Sequence, residues 1–144
     1  MGSKISYIGV KALIVNAEGK VLITQEPMHF VGGGKWELPG GKLNEGEEAT
    51  SLEEVLAREI HEELGDQFSV SVDRVIDVMR RPWNKPGAKA DMVFLAVFLC
   101  TYKGGEIVLS EENNGYAWVT ESELSNYEFI PGYLPVLEKY FKRS

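Results

Sequence analysis

Residues Ser51 to Gly65 constrain the fold of this chain more than any other stretch. Ser51 is a good N-cap, Glu54 stands three residues later as the partner of a capping box, and Gly65 marks a C-terminal stop. At about 100° per residue, Leu52, Val55, Leu56, Ile60 and Leu64 align as one apolar stripe, so this helix must lie against a protein body. Its carboxylates are badly distributed for that. Glu53 and Glu54 suit the first turn and point to solvent with His61, whereas Glu59 and Glu63 fall within or at the edge of the stripe and Glu62 lies beside Glu59.

Three costs follow. The like-charged i, i+4 pair Glu59 and Glu63 opposes the helix by roughly 0.2–0.5 kcal/mol. Glu62 and Glu63 sit in the last turn, where the helix dipole disfavours anions by about 0.3–1 kcal/mol each. Carboxylates turned towards a protein body also lose hydration. A cation held by several of them removes all three costs, and hard oxygen donors select Mg²⁺, Mn²⁺ or Ca²⁺ over zinc. A solvated acidic face is the alternative; it accounts for Glu53 and Glu54 and poorly for the other three.

The charge balance points to the same segment. The chain has 144 residues, 15 Lys plus Arg and 22 Asp plus Glu, for a net charge of -7. Gly41 to Asp66 holds nine of the acids and only two cations, Lys42 and Arg58, so the remaining residues balance. The length suits one domain spanning residues 1–144, and 44% hydrophobic with 26% charged residues excludes a disordered or collagen-like chain. An acidic balance disfavours a nucleic acid polymer as partner. A single cysteine, Cys100, excludes an internal disulfide. No apolar run approaches the ~18 residues of a membrane-spanning helix and no signal-peptide core is present, so a cytoplasmic protein without a membrane partner is expected.

Either side of the helix, the pattern reads as strands. Ile5–Val15 and Val21–Gln25 form a hairpin through Asn16–Lys20, Glu26–Lys35 is a loop, and Trp36–Gly41 is a short extended piece ending in a turn. Val70–Met79, Asp91–Thr101, Glu106–Leu109 and Tyr116–Val119 read as strands, with Arg80–Lys89 a basic loop between the first two. Thr120–Leu124 opens a short helix with Thr120 and Glu123 as a capping box, and Tyr133–Lys142 is an amphipathic helix. This order predicts an α+β fold, an α/β/α sandwich around a mixed central sheet.

Gly41-Lys-Leu-Asn-Glu-Gly-Glu47 followed by Arg58-Glu-Ile-His-Glu-Glu-Leu-Gly65 resembles the Nudix box, G-x5-E-x7-R-E-U-x-E-E-x-G-U with U a bulky aliphatic residue. Trp36-Glu-Leu-Pro-Gly-Gly41 resembles the family's approach to that box, and the likeness extends to Glu112…Trp118-Val119. Two departures stand out: ten residues rather than seven separate Glu47 from Arg58, and the last aliphatic position is Asp66. The extra residues are expected in the loop before Ser51, leaving the helix intact.

The resemblance implies a Mg²⁺-dependent hydrolase, with Mn²⁺ a substitute, that cleaves a nucleoside diphosphate linked to another group, such as ADP-ribose. A (deoxy)nucleoside triphosphate pyrophosphohydrolase is the alternative, and a non-catalytic nucleotide sensor is a third. It implies Glu59 and Glu63 as metal ligands, Glu62 as a third or water-mediated ligand, and the Gly40 carbonyl as a backbone ligand. Glu59 and Glu112 become the candidate bases, with Arg58 beside them. Gly41 and the Arg58–Glu47 pair would hold the box together, and a homodimer is common in the family. Substrate contacts must come from outside the box: Arg80, Arg81 and Lys85 can meet phosphate and Trp83 can stack on a base. Phe30, Trp36 and Tyr133 are alternative ring contacts. Pro82 lies 16 residues beyond Asp66, near where ADP-ribose hydrolases of the family place a proline.

Overall fold

The first strand, β1 (Ser6–Val15), turns into β2 (Val21–Gln25) through a loop that the Asn16 side chain holds closed. Asn16 Oδ1 accepts from the backbone N–H of Glu18 at 3.0 Å and of Lys20 at 2.9 Å. Gly19 supplies the positive φ, 78°, that this turn requires. The computed structural model describes residues 2, 4–28, 33–83 and 85–143, so Phe30 lies outside the described residues.

The remaining strands are β3 (Trp36–Glu37), β4 (Gly40–Lys42), β5 (Ser69–Pro82), β6 (Met92–Gly104) and β7 (Gly115–Val119). They build one mixed sheet in the order β3-β2-β1-β6-β5, with β4 added to β1 and β7 to β2. β1 and β6 run parallel, and the other pairings are antiparallel. α1 (Leu52–Leu64) covers one face and α2 (Tyr133–Arg143) the other, the α/β/α arrangement expected from the pattern.

Alternation along the central strands makes both cores. Val10, Ala12 and Ile14 of β1 and Ala96, Phe98 and Cys100 of β6 face α1, where Val55, Leu56, Ile60 and Leu64 meet them. Leu13, Leu95 and Val97 face the other way, onto Tyr133, Val136 and Leu137 of α2. Each fully buried aliphatic side chain contributes roughly 1.5–3 kcal/mol, so α1 is held in one rotational setting by its stripe. That setting dictates where Glu59 and Glu63 point.

Two expectations need correction. Glu106–Leu109 is not a strand: Val108 N–H donates to the Leu64 carbonyl at 2.9 Å and Ser110 N–H to that of Glu63 at 3.1 Å. This segment spends its donors on the last turn of α1, whose terminal carbonyls lack helical partners. Second, β5 continues through Arg80 and Arg81 to Pro82, paired with Phe94, Val93 and Met92, so the basic loop is shorter than 80–89. Register shifts earlier in β5, between Val72 and Arg74 and between Val75 and Asp77, break the alternation from which its end would be read.

Candidate active site

Ser51 Oγ accepts from Glu54 N–H at 3.2 Å and starts α1, and Gly65 N–H closes it on the His61 carbonyl. With the stripe buried, Glu59 and Glu63 are carried under β4 and are only 8% and 5% exposed. β4 accepts them because it is glycine. A Cβ at Gly41 would stand 2.7 Å from the Glu59 carboxylate, and one at Gly40 (φ 136°) would overlap the Val10 carbonyl oxygen.

Both oxygens of Glu63 are tied to the protein. Gly40 N–H donates to Oε2 at 2.6 Å and Asn113 Nδ2 to Oε1 at 3.2 Å. Burial pushes its carboxyl up to about 7, against the opposing pull of Lys11, Gly40 and Asn113. Burial also raises Glu59, with Glu62 and Glu112 adding repulsion and Arg58 resisting.

Arg58 joins the loop to the helix. Its Nε and Nη2 donate to the two oxygens of Glu47 at 2.9 and 2.8 Å, while Nη1 donates to Glu59 at 3.1 Å and Glu62 at 3.0 Å. The Glu47 carboxyl is held below its usual range by Arg58 and then by the Asn44 N–H. The residues between Glu47 and Ser51 lie in turns, with Thr50 N–H on the Glu47 carbonyl at 3.0 Å, and the bidentate pair spans them. Glu62 is exposed and shares Arg58 Nη1 with Glu59, so it stands near Glu59 at the solvent side and not under β4 with Glu63.

A cavity of about 820 Å³ opens beside this helix. Glu59, Gly40, Gly41 and Glu112 line one part of it. Arg81, Pro82, Trp83 and Lys85 line another. Arg80 does not: adjacent strand residues face opposite sides, so the step that brings Arg81 in sends Arg80 out. Trp36 and Tyr133 pack into the core under α2, Tyr133 fully buried.

Three residues here were not singled out from sequence. Lys11, 6% exposed, donates through Nζ to Glu37 at 2.9 Å and to the Gly40 carbonyl at 3.2 Å. Burial alone would lower its pKa, but Glu37, Tyr133 and Glu63 together hold it raised. A lone lysine inside the apolar run of β1 was a readable signal, since lysine is rarely buried without a partner. Lys42 lies in the cavity wall next to Gly41, and Asn113 anchors Glu63; neither carries a distinguishing local pattern.

Among the described residues no three carboxylate, imidazole or thiolate groups stand close enough to enclose a cation together. The acidic groups at this position are all oxygen donors: Glu59 and Glu63 lie under β4, and Glu59, Glu112 and Gly40 line the same cavity. Two carboxylates that burial penalises when charged, packed against the bare backbone of Gly40 and Gly41, have the donor chemistry of a hard divalent cation site.

A family model described as NUDIX domain matches residues 6–140. The chain belongs to the Nudix family. It is 35% identical over 100 residues to the nucleoside triphosphatase NudI of Escherichia coli O139:H28 (strain E24377A / ETEC), covering 66% of this chain and 68% of that protein. It superposes on the MutT protein of Methanosarcina mazei Go1 with a TM-score of 0.76 and 30% identity, over 99% of this chain and 97% of that one. The E. coli ORF135 protein gives a TM-score of 0.74 and 25% identity, over 99% and 93%. Nudix hydrolases act on phosphoric anhydride bonds and generally require a divalent metal, so this chain is a hydrolase of that type.

Proposed function

We propose that residues 1–144 act as one catalytic domain, a Mg²⁺-dependent pyrophosphohydrolase that converts a nucleoside triphosphate to the monophosphate and pyrophosphate. The observation that carries this reading is the pair of buried, protein-anchored carboxylates, Glu59 and Glu63, beside a cavity whose other wall is cationic. Glu59, Glu63 and the Gly40 carbonyl would hold Mg²⁺, which neutralises phosphate charge and lowers the pKa of an attacking water. Mn²⁺ would serve in the same donor set. Gly40 N–H and Asn113 fix the Glu63 carboxylate, and Arg58 with Glu47 fixes the approach of the β4 loop to α1. Glu112, which lines the cavity and repels the charge of Glu59, would accept the proton of the water. Arg81 and Lys85 meet phosphate.

The triphosphate is favoured over the nucleoside diphosphate derivative by the likeness to a protein named as a nucleoside triphosphatase. The second reading, ADP-ribose or a similar compound, draws support from Pro82, which lines the cavity. The test is product identification across a nucleotide panel with Mg²⁺, repeated with Glu63→Gln and Glu59→Gln. Both variants should fold and lose activity by orders of magnitude. Wild-type turnover in either one would sink the assignment.

A further inference from the structure

A second part of the cavity wall gathers like charges of the opposite sign. Trp83 is fixed at the end of β5 by its N–H on the Asp91 carbonyl at 2.9 Å, and its ring meets Tyr7 edge to face at 5.6 Å. Lys42 Nζ lies 4.0 Å from the Tyr7 ring centre and 4.6 Å from that of Trp83. Lys85 Nζ stands 4.8 Å and Arg81 Cζ 5.5 Å from the same indole. A ring attracts each cation but cancels no charge, so three cations around one indole repel one another. Among the described residues neither Lys42 nor Arg81 forms an ion pair with a carboxylate. Arg81 Nε is shielded from solvent and has no hydrogen-bond acceptor. An unmade buried donor beside an accumulation of positive charge calls for an anionic acceptor from outside the chain. Trp83 carries these cations arrayed over its ring.

We propose that Lys42 and Arg81, gathered on Trp83 and Tyr7, form a polyphosphate subsite. This subsite selects nucleoside triphosphates over nucleotides whose diphosphate ends in an uncharged group. The inference rests on the pyrophosphohydrolase reading above and assigns its specificity to named side chains. Lys42 extends from the strand that also carries Gly40 and Gly41, so the subsite is built into the same element that faces Glu59 and Glu63. The planar fork of Arg81 matches phosphate oxygens, and the ammonium of Lys42 adds a point charge.

The experiment compares wild type with Lys42→Met, Arg81→Gln and the double variant, each checked for folding by its melting curve. Steady-state rates are taken with a nucleoside triphosphate and with ADP-ribose, both with Mg²⁺. In the double variant the loss of kcat/KM for the triphosphate should exceed that for ADP-ribose by at least about tenfold, carried mainly by KM. Equal losses on both substrates would overturn the proposal. Binding of inorganic tripolyphosphate by calorimetry reads the subsite without turnover: its Kd should rise by at least about tenfold in the double variant. An unchanged Kd would overturn the proposal even if the wild type is active. If the wild type hydrolyses none of the nucleotides, the pyrophosphohydrolase reading fails instead, while the calorimetric result still decides the subsite.

Discussion

The two walls of the cavity are built from like charges in opposite ways. On the α1 side the carboxylates are buried and individually anchored: Glu63 by Gly40 and Asn113, Glu59 by Arg58. On the other side the cations gather on aromatic rings, and among the described residues Lys42 and Arg81 have no carboxylate partner. The first wall sets positions before any ligand arrives, as metal geometry demands. The second gathers charge on rings that cancel none of it, so its compensation must come from an anion outside the chain.

The comparison breaks most readily at Asn113. Asn113→Leu removes one of the two donors to Glu63 without adding charge, and should weaken Mn²⁺ binding by about 10–100-fold, as outer hydrogen bonds to metal ligands typically do. Calorimetry without nucleotide measures this, and an unchanged affinity would show that the anchored wall does not need its anchors.

A smaller effect concerns pH. Burial raises the Glu63 carboxyl from 4.5 to about 7, so the folded chain holds that proton more tightly than the unfolded one. The associated stability is full below pH 4.5 and is lost as pH rises towards about 7. In EDTA, the melting temperature of wild type relative to Glu63→Gln should therefore fall across this window, and divalent ions should reverse the fall. A flat difference would mean that the carboxylate is not desolvated.

The smallest effect is expected at Arg80, which lies on the face of β5 away from the cavity. Arg80→Ala should leave kcat/KM for the triphosphate at the wild-type value and change stability by no more than about 0.5 kcal/mol. A clear rise in KM would place Arg80 on the cationic wall after all.

The acidic wall was legible in sequence because it rests on helix periodicity, which the Ser51 cap and Gly65 stop frame at both ends. Leu56 and Ile60 fix the rotation of α1, and Glu59 and Glu63 follow from it. The cationic wall was legible in part: Arg81, Trp83 and Lys85 line the cavity, Arg80 does not, and Lys42 joins them. Arg80 and Arg81 look equivalent in a list of charges, but a strand separates them, and the register shifts of β5 hide where that strand ends. Lys42 reaches Trp83 because β4 adds to β1, a long-range pairing that no local pattern announces. Glu106–Leu109 misled for a related reason: its alternation resembles a strand, yet its donors serve the end of α1.

The parallel pairing of β1 with β6 sets the order in which the site comes into being. Residue 6 pairs with residue 92 and residue 15 with residue 101, so closing this seam encloses a loop that contains all of α1. Contacts so distant in sequence form slowly, because the entropy of loop closure is spent before they return anything. The β1–β2 hairpin and the capped helix need only their own neighbours. Lys11 of β1 and Val93 and Leu95 of β6 share the cavity wall, so the pocket exists only once that seam has closed. A ribosome-bound chain that has emerged only as far as α1 lacks β6, and with it the chamber in which a nucleotide could be held. Docking of the sixth strand is necessary and not sufficient, because Glu112, Ile130 and Pro131, which also line the cavity, follow β6 in the chain.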